Sequence, residues 1–179
     1  MEKAKDTDPD IEGFVDQRPI VDAECEGIEN EEVEKVALSL AESDNRIKYI
    51  RQTSNIGMFE NFRYVLRETK GEFFMWASDD DEFYPDFIKK CLNVLIKDKG
   101  IVLCSPICKV FHNESEVIKY KPDYHTVGLN KMQRMKKIAF YIKKGHGALF
   151  GLYRREAIIK FSTVTYLDAD GIFLLQLGQ

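Results

Sequence analysis

Three consecutive carboxylates, Asp79, Asp80 and Asp81, stand directly behind the aromatic run Phe73-Phe74-Met75-Trp76-Ala77 and ahead of Pro85 and Asp86. Such a run, bounded by Gly71 and then by polar residues, predicts a buried strand with the acids at its carboxyl end. In open α/β sheets that is where ligands sit. Adjacent carboxylates repel and raise one another's proton affinity unless a cation intervenes, and hard oxygen donors suit Mg²⁺ or Mn²⁺. The blander alternative is a solvated acidic turn that caps the next helix.

A second acidic pair, Asp168 and Asp170, precedes a short apolar run at 172–175. A metal-bound carboxylate is a poor base, so any proton transfer beside a metal held by the first cluster needs a second acidic site. Asp170 or Asp168 suits the second role; either equally suits a helix N-cap. His146 lies between Gly145 and Gly147, placed to pack in a glycine turn. Gly147 and Gly151 punctuate a predicted strand ending at Tyr153, where backbone can come close to a ligand, and Arg154-Arg155 follow at once. Cys104, Cys108 and His112 are spaced by four, but a fourth ligand and zinc-finger spacing are both missing.

The elements that must position these residues follow from periodicity. Residues 18–21 suit a short strand. From an Asn30 N-cap, Val33, Val36, Ala37, Leu40 and Ala41 mark one face of a helix. A strand at 46–51 leads through the polar turn 52–57 to a second helix with Met58, Phe59, Phe62, Val65, Leu66 and Thr69 inward, closed by Gly71 in a left-handed conformation. Pro85 opens a third helix with Phe87, Ile88, Cys91, Leu92, Leu95 and Ile96 inward, and 100–105 is a further strand, with 117–120 an edge hairpin partner. Leu129 to Lys144 predicts a helix with Met132, Met135, Ile138, Ala139 and Ile142 inward and a basic outer side. That side is read as solvated, with peripheral contact to anionic lipid as the alternative. The alternation of strand and helix from 30 to 105 predicts an α/β fold, a mostly parallel sheet flanked by helices.

The 179 residues, 44% hydrophobic and 12% aromatic, suit one domain. No apolar run approaches the roughly 18 residues of a membrane span, and the opening residues lack the apolar centre of a secretory signal. The expectation is a cytoplasmic protein, with a membrane-peripheral alternative. Four cysteines without a paired motif predict no disulfides. Residues 1–44 hold 15 acidic against 4 basic side chains, and the remainder 15 against 22. Residues 1–28 therefore read as an acidic, mobile lead-in to a single domain at 29–179.

Taken in order, Arg46-Ile47-Lys48-Tyr49-Ile50-Arg51, then Asn55-Ile56-Gly57 with Asn61, then residues 71–81 with Pro85-Asp86, resemble family 2 glycosyltransferases of the GT-A fold. The resemblance implies sugar transfer from a nucleotide-diphosphate donor to a glycan or lipid-linked acceptor, in polysaccharide biosynthesis or a related process. It implies Mn²⁺ or Mg²⁺ at Asp80 with Asp81 supporting, and Asp79 toward the ribose or the metal. Asn55, Gly57 and Asn61 fall on the donor side, His146, Gly147 and Arg154 on the acceptor side, and Asp170, with Asp168 behind it, at the position of the catalytic base. The family's first strand has no evident counterpart, and residues 23–30 replace its second, Asp-rich turn. The resemblance is thus to a domain truncated or degenerate at the N-terminus, with an inactive binding or scaffold domain as the alternative. A glycoside hydrolase is disfavoured by three contiguous acids, and nucleic-acid binding by the absence of a basic, aromatic module.

Overall fold

The computed structural model describes residues 18–22, 31–77, 81–105, 109–112, 116–119, 125–142 and 147–160. Strand β1 (Arg18–Asp22) pairs in parallel with β2 (Ile47–Arg51) over all five residues, from Arg18 opposite Ile47 to Asp22 opposite Arg51. Part of the acidic lead-in is therefore a strand in register; the rest of it lies outside the described residues. Between these strands runs helix α1 (Glu31–Ser43), whose main described neighbour is β2.

The predicted inner face of α1 is only partly covered. Ala37 is buried, but Val33, Val36 and Leu40 are 47%, 60% and 44% exposed. A two-stranded ribbon is too narrow to bury an apolar stripe of that width, so the small residue alone makes the close approach.

Helix α2 (Met58–Glu68) lies over β1 with one part of its surface and enters the main core with another. Leu66 is buried, with Phe62 and Val65 packed beside it, whereas Met58 and Phe59 are exposed. The helix does not end on a left-handed Gly71. Thr69 turns extended, and its hydroxyl donates to the Leu66 carbonyl at 2.9 Å, satisfying a C-terminal acceptor without a residue of positive φ.

The main sheet corrects the expectation of parallel pairing. Its order is β3 (Phe73–Phe74), β7 (Leu152–Arg154), β4 (Leu103–Cys104), and both contacts of β7 are antiparallel. Strands β3 and β4, joined through α3 (Phe87–Lys97), still run in the same direction. The alternation of strand and helix encodes that crossover, but it cannot reveal that a strand arriving fifty residues later occupies the space between them. Strands β5 (Lys109–His112) and β6 (Glu116–Lys119) form the separate hairpin, paired from Lys109 opposite Lys119 to His112 opposite Glu116.

Side chains alternate across the short strands, and two apolar clusters result. Phe74, Trp76 and Tyr153 meet Leu66 of α2, Ile138 of α4 (Lys131–Ile142) and Ile158 of α5 (Arg155–Ile158). On the other face Phe73 and Leu152 meet Phe87, Cys91, Leu92 and Leu95 of α3. Tyr153, Leu95 and Ile158 are fully buried, each worth roughly 1.5–3 kcal/mol of transfer free energy. Ile88 and Ile96 of α3 and Met132 of α4 are exposed rather than inward, because each helix meets the sheet along a narrower stripe than its apolar pattern spans. Helix α4 begins at Lys131, not Leu129, because Asn130 and Gln133 form a reciprocal cap: the Gln133 amide donates to Asn130 Oδ1 at 3.0 Å and the Asn130 amide to Gln133 Oε1 at 3.1 Å.

The same alternation sends Arg154 and Arg155 to opposite helices. Arg154, 8% exposed, donates from Nε to the Ile101 carbonyl at 3.0 Å and from Nη2 to the Leu95 carbonyl in the last turn of α3 and to Asp98 O at 3.4 Å. Its guanidinium lies 5.4 Å from the centre of the Phe73 ring. Arg155 donates from Nε to the Thr69 hydroxyl at 3.2 Å and from Nη2 to Leu66 O at 3.5 Å, at the end of α2. Cations at helix C-termini satisfy orphan carbonyls and complement the dipole.

Two outcomes are expected in urea unfolding. Arg154→Lys loses about 2 kcal/mol, because one ammonium cannot reach carbonyls from both α3 and the strand that follows it, and Arg155→Lys loses less, its bonds being longer and less buried. Gly151→Ala loses about 1–3 kcal/mol, since an added Cβ would stand 2.6 Å from Leu103 Cδ1 and 2.8 Å from the Cys104 carbonyl oxygen. Equal stability of the arginine variants, or an unchanged Gly151→Ala, would contradict these contacts.

Candidate functional site

The site's described floor starts where β2 gives way to a tight turn. Asn55 Oδ1 accepts from the Gly57 amide at 2.8 Å, an Asx turn, and Gly57 sits at φ +77°, a conformation that suits glycine. The Gly57 carbonyl then accepts from the Asn61 amide at 3.0 Å and starts α2. Asn55, Gly57 and Asn61 are thus joined in one hydrogen-bonded unit. Within it the side-chain Oδ1 of Asn61 is buried without a hydrogen-bond partner, and so is Nε2 of Gln52, directly after β2. A buried amide oxygen left unpaired costs about 1–3 kcal/mol, so its retention calls for an explanation.

Trp76 links this unit to the strand that leads to the acids. Its Nε1 donates to the carbonyl of Phe62, the residue after Asn61, at 3.1 Å. Its ring meets Phe62 at 5.7 Å, Phe74 edge-on at 4.6 Å and Tyr153 edge-on at 5.6 Å. A tryptophan held on three sides with its donor satisfied is a rigid anchor, and the three acids follow it closely in the chain.

Of the three acids, Asp81 is exposed, while Asp79 and Asp80 lie outside the described residues. Among the described residues no three of His, Cys, Asp and Glu are grouped to hold a metal ion. After Pro85, the Phe87 amide donates to Tyr84 O at 2.9 Å, and Asp86 pairs with Lys90 at 2.5 Å. The hydrogen bond from Lys90 holds the Asp86 carboxyl below its ordinary range, so the start of α3 carries a carboxylate that stays ionised.

The residues expected on an acceptor side divide. His146 lies outside the described residues, and so do Asp168 and Asp170. Gly147 begins a 3₁₀ turn, Gly147–Phe150, that delivers the chain into β7. The glycine-punctuated segment, expected to bring backbone close to a ligand, brings it at Gly151 against β4 instead. Arg154 turns its guanidinium to helix carbonyls beneath the sheet rather than to an open surface. Sequence reasoning passed over Gln52 and the anchoring role of Trp76. A polar residue placed immediately after a strand's carboxyl end was the available signal for the first; the second depends on a contact between distant elements.

No described helix is long and apolar enough to cross a membrane. The family model described as glycosyl transferase family 2 matches residues 29–161, a span that takes in every candidate residue named above except Asp168 and Asp170. A relative from Rickettsia felis (strain ATCC VR-1525 / URRWXCal2), called an uncharacterized glycosyltransferase, is 31% identical over 106 residues, covering 58% of this chain and 17% of that protein. The chain thus spans a small part of that relative's length. No solved structure matches it. The matched span holds both halves of the described site, the Asn55 to Asn61 unit and the strand pinned by Trp76, and the chain belongs to glycosyl transferase family 2.

Proposed function

We propose that this chain transfers a sugar from a nucleotide-diphosphate donor to an acceptor hydroxyl of a glycan or a lipid-linked molecule. The observation that carries the reading is the Trp76 bond to Phe62: it couples the strand ahead of Asp79, Asp80 and Asp81 to the helix start that bears Asn61 with its unsatisfied oxygen. A donor amide or hydroxyl placed there would satisfy that oxygen, which makes the unpaired group a binding element rather than a packing fault.

Asp80 and Asp81 are the ligands for Mg²⁺ or Mn²⁺, and Asp79 reaches the ribose or the same ion; contiguous carboxylates are a hard, anionic donor set of the kind both ions prefer. When bound, the ion supplies charge neutralisation on the departing diphosphate. Asn55 and Gly57 hold the turn that presents backbone to the donor, and Asn61 bonds it. Asp170 takes the acceptor hydroxyl's proton, with Asp168 as its neighbour, and His146 and Gly147 line the acceptor side. Arg154 supports that side from beneath, through the bonds that hold β7 to α3.

Three variants test the reading by calorimetry with nucleoside diphosphates in Mn²⁺ and by transfer from a labelled donor to a mixed acceptor pool. Asp80→Ala is expected to lose metal-dependent nucleotide affinity by about tenfold or more. Asn61→Ala is expected to weaken the nucleotide by about tenfold while thermal stability holds or rises, because the buried unpaired oxygen is removed with the bond. Asp170→Asn is expected to abolish transfer with nucleotide binding intact, since an amide cannot accept the proton. Equal turnover of wild type and Asp170→Asn would move the base to Asp168. Nucleotide binding without transfer by the wild type would favour a binding domain, and metal-dependent affinity unchanged in Asp80→Ala would overturn the metal assignment.

A further inference from the structure

The cysteine pair Cys91 and Cys104 is used by none of the chemistry above. Cys91 lies on the inner face of α3, 4% exposed among Phe87, Leu92 and Leu95, and Cys104 lies on β4, half-buried and packed against the same cluster. Both side chains belong to one apolar cluster where α3 packs on β4, and they stand close enough for each thiol to shift the other's titration, Cys91 upward and Cys104 downward. Free cysteines in a core ordinarily behave as separate small hydrophobes. Here two of them meet across a helix–strand interface, thirteen residues apart in the chain and with no other cysteine among the described residues.

We propose that Cys91 and Cys104 form a reversible dithiol–disulfide site, oxidised by a low-molecular-weight disulfide of the glutathione type, that staples α3 to β4. The roles are set by position. Cys104 is the accessible member and attacks; Cys91 is buried behind it and resolves. The interaction with Cys91 pulls the Cys104 thiol down to about 7, so a large fraction is thiolate at neutral pH, and the same interaction with burial pushes the Cys91 thiol up.

The exchange balances in two steps. The Cys104 thiolate forms a bond to one sulfur of the oxidant, whose S–S bond breaks and releases a thiolate. The Cys91 thiol passes its proton to that leaving group, and its sulfur attacks Cys104 Sγ, expelling the second small thiol, which takes a proton from solvent. The protein dithiol is oxidised by two electrons, and the small disulfide is reduced to two thiols. Excess small thiol reverses both steps, as suits transient pairing in a reducing compartment.

The test uses the full chain with Cys25→Ser and Cys108→Ser, leaving only the pair, incubated folded with oxidised glutathione and examined by intact mass and peptide mapping. The expected product has lost two hydrogens, yields one peptide pair crosslinked through Cys91 and Cys104, and returns to the dithiol with dithiothreitol. Adding Cys91→Ser is expected to trap a stable glutathione adduct on Cys104, and Cys91→Ala serves the same purpose if the serine perturbs the core. Iodoacetamide labelling of Cys104 is expected to rise through a midpoint of about 7. A stable adduct on Cys104 while Cys91 is present, or two thiols that stay free, would overturn the proposal.

Discussion

Two arginines that follow one another on β7 and diverge to two helices hold the described structure together. Arg154 takes the carbonyls at the end of α3, and Arg155 takes the hydroxyl and carbonyl at the end of α2. A strand of three residues has few ladder bonds of its own, so its position depends on these side-chain bonds and on the burial of Leu152 and Tyr153. Because α2 begins at the Asn55 turn and α3 begins after Pro85, fixing both helices at their far ends also fixes the direction in which their starts point. The two helix starts are oriented from behind.

This arrangement explains why the described half of the site can tolerate unpaired polar atoms. Asn61 Oδ1 sits next to Phe62 in a helix whose rigidity comes from elsewhere: the Trp76 ring against Phe62, Phe74 and Tyr153, and the Arg155 bonds at its far end. A loosely held amide would rotate or draw the chain apart to find a partner. One fixed by neighbouring packing keeps its unsatisfied group in place, at a cost of about 1–3 kcal/mol that a ligand can return.

Much of the layout was legible in the sequence because it is local. The helical periodicities of α2, α3 and α4 and the strands near 47–51 and 103–104 appear where the patterns place them, whereas the strand expected at 117–120 pairs with β5 and not with the strand at 103–104. The signals that misled were those in which pattern width exceeds available cover. Val33, Val36 and Leu40 are periodic yet exposed, since periodicity records which residues share a face and not whether anything lies opposite. Strand order was illegible for a different reason: Phe73 pairs with Arg154 across eighty residues, and no local pattern carries that contact. The motif residues Asn55, Gly57 and Asn61 were found through family likeness, and their physical unity, turn bonded to helix start, emerged only from the hydrogen bonds.

The late arrival of β7 between two earlier strands governs how the chain must come together. β3, α3 and β4 all precede residue 152 in the chain, so neither β3 nor β4 has its sheet partner until β7 has been made. Until then each lacks a backbone partner at that edge, Phe73 lacks Leu152, and Phe74 lacks Tyr153 and Ile158. Domains with such long-range closure fold slowly and are exposed to misassociation until the last partner arrives. Gly151 lets the incoming strand slide in close beside Cys104, and the two arginines then latch it on both sides. The nascent polypeptide thus has a defined moment of vulnerability, which ends when a three-residue keystone seats itself.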